Sequence, residues 1–102
     1  MELYFTVARL RNRTYQQNEV LKFVKQEVPT AYGTQARFYA YENGETIPYG
    51  IMEASPFHLL PQTKVMNNSL ANTLPDNIEV VIVEPNNPHG LVKAKYNGQS
   101  SV

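Results

Sequence analysis

The chain contains no cysteine. That excludes a disulfide framework, cysteine-ligated zinc, thiol catalysis and iron–sulfur clusters, and it fits a reducing compartment. No run approaches the roughly 18 apolar residues of a membrane-spanning helix, and Met1–Leu10 has no basic region ahead of an apolar one. The expectation is a cytoplasmic chain without a membrane partner. Net charge is also missing: nine Lys and Arg balance nine Asp and Glu. A dedicated duplex-DNA binder is usually basic, because neutralising phosphates supplies most of its non-specific affinity, and a DNA mimic is strongly acidic. This chain is neither.

Recognisable catalytic patterns are absent too. The two histidines, His58 and His89, stand in no metal-ligating spacing. There is no Gly-rich phosphate loop, nucleophile elbow or Ser-Lys pattern. Glu42 and Glu45 do no more than repel each other across a hairpin tip. The expectation is a non-enzymatic chain with no cofactor and no metal.

What is present is a 102-residue chain, 42% hydrophobic, with seven Tyr and four Phe. That is one domain with enough apolar material for a core, expected over residues 1–96. The small polar residues 97–102 are expected to form a frayed tail. Charge is sorted along the sequence: residues 1–41 carry six basic and three acidic groups, residues 42–90 one basic and six acidic, and residues 91–102 two lysines. The Asn- and Gln-rich, cysteine-free composition is similar to that of small accessory proteins of phages and mobile elements.

The strongest local signal is Asn43-Gly44 between two alternating runs in Ala36–Ala54. Asn-Gly favours a type I′ hairpin turn, in which both central residues have φ > 0. A two-residue turn there sets Ala40 against Ile47, Phe38 against Tyr49 and Ala36 against Ile51 on a core face. The other face then carries Arg37, Tyr39, Tyr41 and Thr46. Glu2–Leu10 reads as a central strand, Leu3, Phe5 and Val7 pointing one way and Tyr4, Thr6 and Ala8 the other. Ile78–Val83 is a second strong strand. Leu91–Tyr96 reads as an edge strand guarded by Lys93 and Lys95.

Thr14–Val28 reads as the main helix. Thr14 and Gln17 suit a capping box, Val20, Leu21, Val24 and Val28 recur at helical spacing, and Pro29 stops the run. Met66, Leu70 and Leu74 suggest a weak second helix. These elements give an α+β fold: an antiparallel sheet of about five strands with one main helix, in β-α-β-β-(α)-β-β order. That is ferredoxin-like with an extra strand; the alternative is a curled sheet or half-barrel around the helix. RNA-recognition domains share this element order, but Thr46–Met52 lacks their basic-Gly-aromatic-Gly-aromatic pattern.

Two candidate sites follow. Tyr4, Arg37, Tyr39 and Tyr41 would share an open sheet face, where rings beside a guanidinium anchor a protein partner or stack a planar ligand. Arg9, Arg11 and Arg13 would continue one strand face near the start of the helix and attract anions. The functional expectation is a small binding or accessory protein that uses a sheet face and loops on a protein partner or on a second copy of itself. The alternatives are a binder of a nucleotide or anionic metabolite, and a weak binder of single-stranded nucleic acid.

Overall fold

Strand-forming residues dominate this chain, and the computed structural model, which describes residues 2–9, 13–52, 62–86 and 90–98, turns them into a closed barrel of six antiparallel strands. The strands are β1 (Glu2–Arg9), β2 (Val20–Thr30), β3 (Gly33–Ala40), β4 (Gly50–Met52), β5 (Asn77–Glu84) and β6 (Leu91–Asn97), with one short helical turn, α1 (Asn68–Asn72). Around the barrel the order is β1-β4-β3-β2-β5-β6, with β6 returning to β1. Three hairpin-linked strands, β2 to β4, are flanked by β1 beside β4 and β5 beside β2, so two Greek keys overlap. The expected α+β, ferredoxin-like fold is therefore wrong, and so is its half-barrel alternative: side chains, not a helix, fill this barrel.

Alternation explains the filling. Phe5 and Val7, Leu21 and Phe23, Phe38, Val80 and Ile82, and Val92 point inward and are buried. Small residues at Ala36, Ala40 and Ala94 leave room for the three phenylalanines, as a barrel of this size requires.

The main correction is Thr14–Val28. Its apolar residues fit a helical stripe, yet Leu21 and Phe23 also alternate with Val20, Lys22 and Val24. The period of two prevails because β2 finds a partner on each side: Val24 pairs with Tyr39 of β3 and Val20 with Val81 of β5. What looked like a helix start is a tight turn, Glu19 N–H donating to Gln16 O at 3.1 Å, with Asn18 at φ 69°. Asn tolerates that left-handed conformation. Pro29 does not end the element; it lies inside β2, opposite Thr34. Lys25 N–H donates to Asp76 O, away from β3. Alternation turns the ring nitrogen of Pro29 the same way, beyond Asn77, the first residue of β5, so no ladder bond is lost.

The hairpin register is also corrected. Ala40 pairs with Gly50 and Tyr39 with Ile51, three residues later than a two-residue turn gives. Among the described residues only Gly44 of the Asn-Gly pair has positive φ, and Glu45 N–H donates to Glu42 O at 3.1 Å. The turn thus has φ > 0 at its third residue alone, which is not type I′. Pro48 cannot donate to a ladder, and pairing resumes only when Tyr49 N–H reaches Ala40 O at 2.7 Å. An odd shift exchanges faces. Met52 turns inward, Ile51 turns outward, and Ile47, expected in the core, is 62% exposed. Thr6, expected on an open face, is fully buried. Nor is β6 an edge strand, because it pairs with both β1 and β5.

Both barrel ends are closed. At one end Met66, Ala71 and Leu74, on and beside α1, are buried; Asn67 caps α1 by accepting from Leu70 N–H at 2.9 Å. Lys25, on the inward side of β2, donates to Leu74 O at 2.7 Å. At the other end Tyr15 and Tyr49 are buried, and the Tyr15 hydroxyl donates to Tyr49 O. Among the described residues no helix is long and apolar enough to cross a membrane.

A Cβ on Gly50 would lie 3.1 Å from the Tyr15 hydroxyl and 3.3 Å from Val7 Cγ1. Gly50→Ala is expected to destabilise the fold by about 1–3 kcal/mol through overpacking, read as a lower midpoint in urea at unchanged m-value. A midpoint equal to wild type would show that this end has slack.

Candidate functional site

The strands distribute the candidate residues differently from a sheet in which β1 adjoins β3. Arg37 and Tyr39 lie on the outward side of β3, and Tyr41 follows directly. The Tyr39 and Tyr41 ring centroids are 6.3 Å apart at 36°. Gln26 of β2 donates to the Tyr41 hydroxyl at 3.1 Å. Directly opposite Tyr39 stand Val24 on one side and Ile51 on the other, both outward-facing. Arg37 donates to Gln35 Oε1 at 2.8 Å, and among the described residues it meets no carboxylate. At the two ends of β3 the turns expose Tyr32, 93% accessible, and Ile47. The outer surface of β3 is therefore a ridge of aromatic and aliphatic groups with one unpaired guanidinium.

Tyr4 does not join this ridge. Since β4 lies between β1 and β3, Tyr4 faces out beside β6, opposite Lys95, with Lys93 Nζ 4.8 Å from its ring centre.

Of the arginine triplet, the structure describes the side chain of Arg13 alone. Arg9 ends β1, opposite Gly50. Its side chain, all of Arg11, and both histidines lie outside the described residues. Arg13 is engaged elsewhere. Its Nε donates to Glu42 at 3.0 Å and a terminal nitrogen to Glu19 at 2.6 Å. Its guanidinium carbon lies 5.0 Å and 4.4 Å from the ring centres of Tyr15 and Tyr49. This is a clasp over the barrel end. It leaves one guanidinium nitrogen buried without a partner, and the two carboxylates beside it repel an incoming anion. The main helix, whose N-terminus was to add to the anion site, is a strand.

The electrostatics of the clasp follow from its packing. Burial opposes the Arg13 charge, but the hydrogen bond and charge of Glu19, joined by Glu42, outweigh it and hold the guanidinium pKa above its ordinary value. Burial pushes the Tyr49 phenol up from 10, against the pull of Arg13 and with the help of Glu19 and Glu42. No sequence signal could have revealed this group, because Arg13, Glu19, Glu42 and Tyr49 are brought together only by closure of the barrel. Among the described residues no three His, Asp or Glu converge as a metal site. One open hollow of about 390 Å³ lies outside β5, between Val20, Ile78, Val81 and Tyr96.

Two outcomes check the clasp. A raised Tyr49 pKa means that its contribution to stability is fully present below about pH 10 and is lost as pH rises through the folded-state value. The alkaline fall in Tm is expected to be shallower in Tyr49→Phe than in wild type; parallel curves would contradict the assignment. Arg13→Met leaves Glu19 and Glu42 facing each other and is expected to cost about 1–3 kcal/mol in chemical unfolding.

No protein-family model matches the chain, and no curated protein or solved structure matches it.

Proposed function

We propose that this chain is a non-enzymatic binding protein of the cytoplasm that assembles with a second copy of itself through the outer ridge of β3. The observation that carries this reading is the outward Tyr39–Tyr41 pair, flanked in direct register by Val24 and Ile51. Tyrosine and arginine are the residues most used as interface anchors. A contiguous apolar strip on an otherwise polar surface marks an interaction site.

Several features favour a second copy as the occupant. The chain has no net charge at pH 7, so copies do not repel, and near-zero net charge promotes association. The ridge also carries both halves of a cation–π pair: Arg37, which meets no carboxylate among the described residues, and the rings of Tyr39 and Tyr41. About a two-fold axis each guanidinium can be offered a ring of the other copy. The absence of cysteine suits a reducing cytoplasm.

Light scattering on a size-exclusion column tests the reading across a concentration series. Wild type is expected at twice the chain mass or more. Tyr39→Ser combined with Tyr41→Ser is expected at the monomer mass with Tm within a few degrees of wild type, since both side chains point away from the core. A wild-type chain that stays monomeric at the highest concentration, or a double variant that keeps its partner, overturns it.

A further inference from the structure

Outside the β3 ridge, the outer face joining β1 to β6 contains an arrangement that neither packing nor self-assembly explains. Thr6 and Lys93 are directly opposite each other in the β1–β6 ladder. Their inward neighbours, Phe5, Val7, Val92 and Ala94, fill the barrel, so both side chains point outward. Even so, Thr6 is fully buried and Lys93 is only 8% exposed. The Thr6 hydroxyl has no hydrogen-bond partner. The Lys93 ammonium carries three donors, yet among the described residues it makes no hydrogen bond. Its nearest carboxylate, Glu84, is 3.9 Å away, and it rests 4.8 Å from the centre of the Tyr4 ring.

Burying a hydroxyl without a partner beside an ammonium that has only a long ion pair and a ring face is costly. Together they are the donor set for an oxyanion. One oxygen can accept from Thr6 and another from Lys93, whose Cα positions stand one ladder step apart, with Cβ atoms about 5 Å apart in such pairs. The local charge agrees. Lys95 lies on the same face, opposite Tyr4. Among the described residues the acids facing the site are Glu84 and Glu2, and Glu2 accepts from the Tyr4 hydroxyl at 3.4 Å.

Glu84 indicates how such a ligand would enter. The β5–β6 register shifts between Ile82 and Glu84, and this bulge sets Glu84 opposite Lys93. Its side chain remains 54% exposed and reaches the ammonium only at 3.9 Å. It is a loosely paired, half-exposed carboxylate that a better-seated oxyanion can displace into water. We infer that Thr6 and Lys93, with Tyr4 as the wall and Glu84 as the displaceable occupant, form a binding site for a small oxyanion, a phosphate or a carboxylate group. This site is independent of the β3 ridge.

Titrating the labelled wild-type chain with inorganic phosphate, and separately with acetate, at constant ionic strength tests it by NMR. Saturable shifts at the Thr6 and Lys93 amides are expected with at least one of the two. The anion that saturates at lower concentration identifies the class, and saturation by neither overturns the inference. Thermal melts supply the second test. Phosphate stabilises folded chains in general by exclusion from their surfaces, so the site is read as the extra rise over Lys93→Met. In wild type that extra rise is expected to be roughly 4–8 °C at several times Kd. Glu84→Gln, which removes the competing carboxylate, is expected to saturate at several-fold lower phosphate. With the anion that saturates in the titration as the additive, equal rises in wild type and Lys93→Met, or weaker binding of that anion by Glu84→Gln, overturn it. The wild-type titration decides the matter even if Lys93→Met fails to fold.

Discussion

Closure through β4 is the constraint on which the rest of this barrel depends. β4 has three residues, yet among the described residues it is the strand that joins β1 to β3, with three pairs on one side and two on the other. Beyond Met52 the two longer strands part, and their facing backbone groups need other partners. Tyr4 O accepts from Lys64 N–H at 2.7 Å, and Ala36 N–H donates to the Asn68 side chain at 2.9 Å. The segment from Lys64 to α1 therefore completes the wall that β4 leaves unfinished. Gly50 is as necessary at the other end, because the Tyr15 hydroxyl that seals the barrel occupies the space where a side chain would be.

The same geometry decides which charged groups are committed to the fold and which are left for recognition. Arg13 lies where the strand ends converge, so two carboxylates and two rings take it up. Lys25 points inward at the opposite end and is taken up by a backbone carbonyl and Asp76. Arg37 is on the convex side of a strand and, among the described residues, meets no carboxylate.

How much of this was legible in the sequence depended on whether local pattern and tertiary pairing agreed. β1, β5 and the inward face of β3 were readable, because alternation of Phe5 with Val7, of Ile78 with Val80 and Ile82, and of Ala36 with Phe38 admits one reading. β2 was not, because Val20, Leu21, Val24 and Val28 satisfy a helical period while Leu21 and Phe23 satisfy a strand. Only the partners at Tyr39 and Val81, remote in sequence, resolve the conflict. The Asn43-Gly44 turn was legible as a turn but not as a register, because Pro48 moved the pairing three residues on. The outward placement of Arg37 and Tyr39 did not depend on that register, being set by β3 alone. Their grouping with Tyr4 assumed a strand order that β4 interrupts, and the buried Thr6–Lys93 pair appears only once β6 closes on β1.

The position of Pro29 carries a further consequence. β2 outruns β5, so its last residues have no strand on that side among the described residues, and such an edge is the kind of template on which a stray chain adds a strand. A proline whose ring nitrogen faces that edge removes a donor from the template, and the exposed Glu27 beside it keeps the edge wet. Copies of this chain are thereby discouraged from zipping together backbone to backbone.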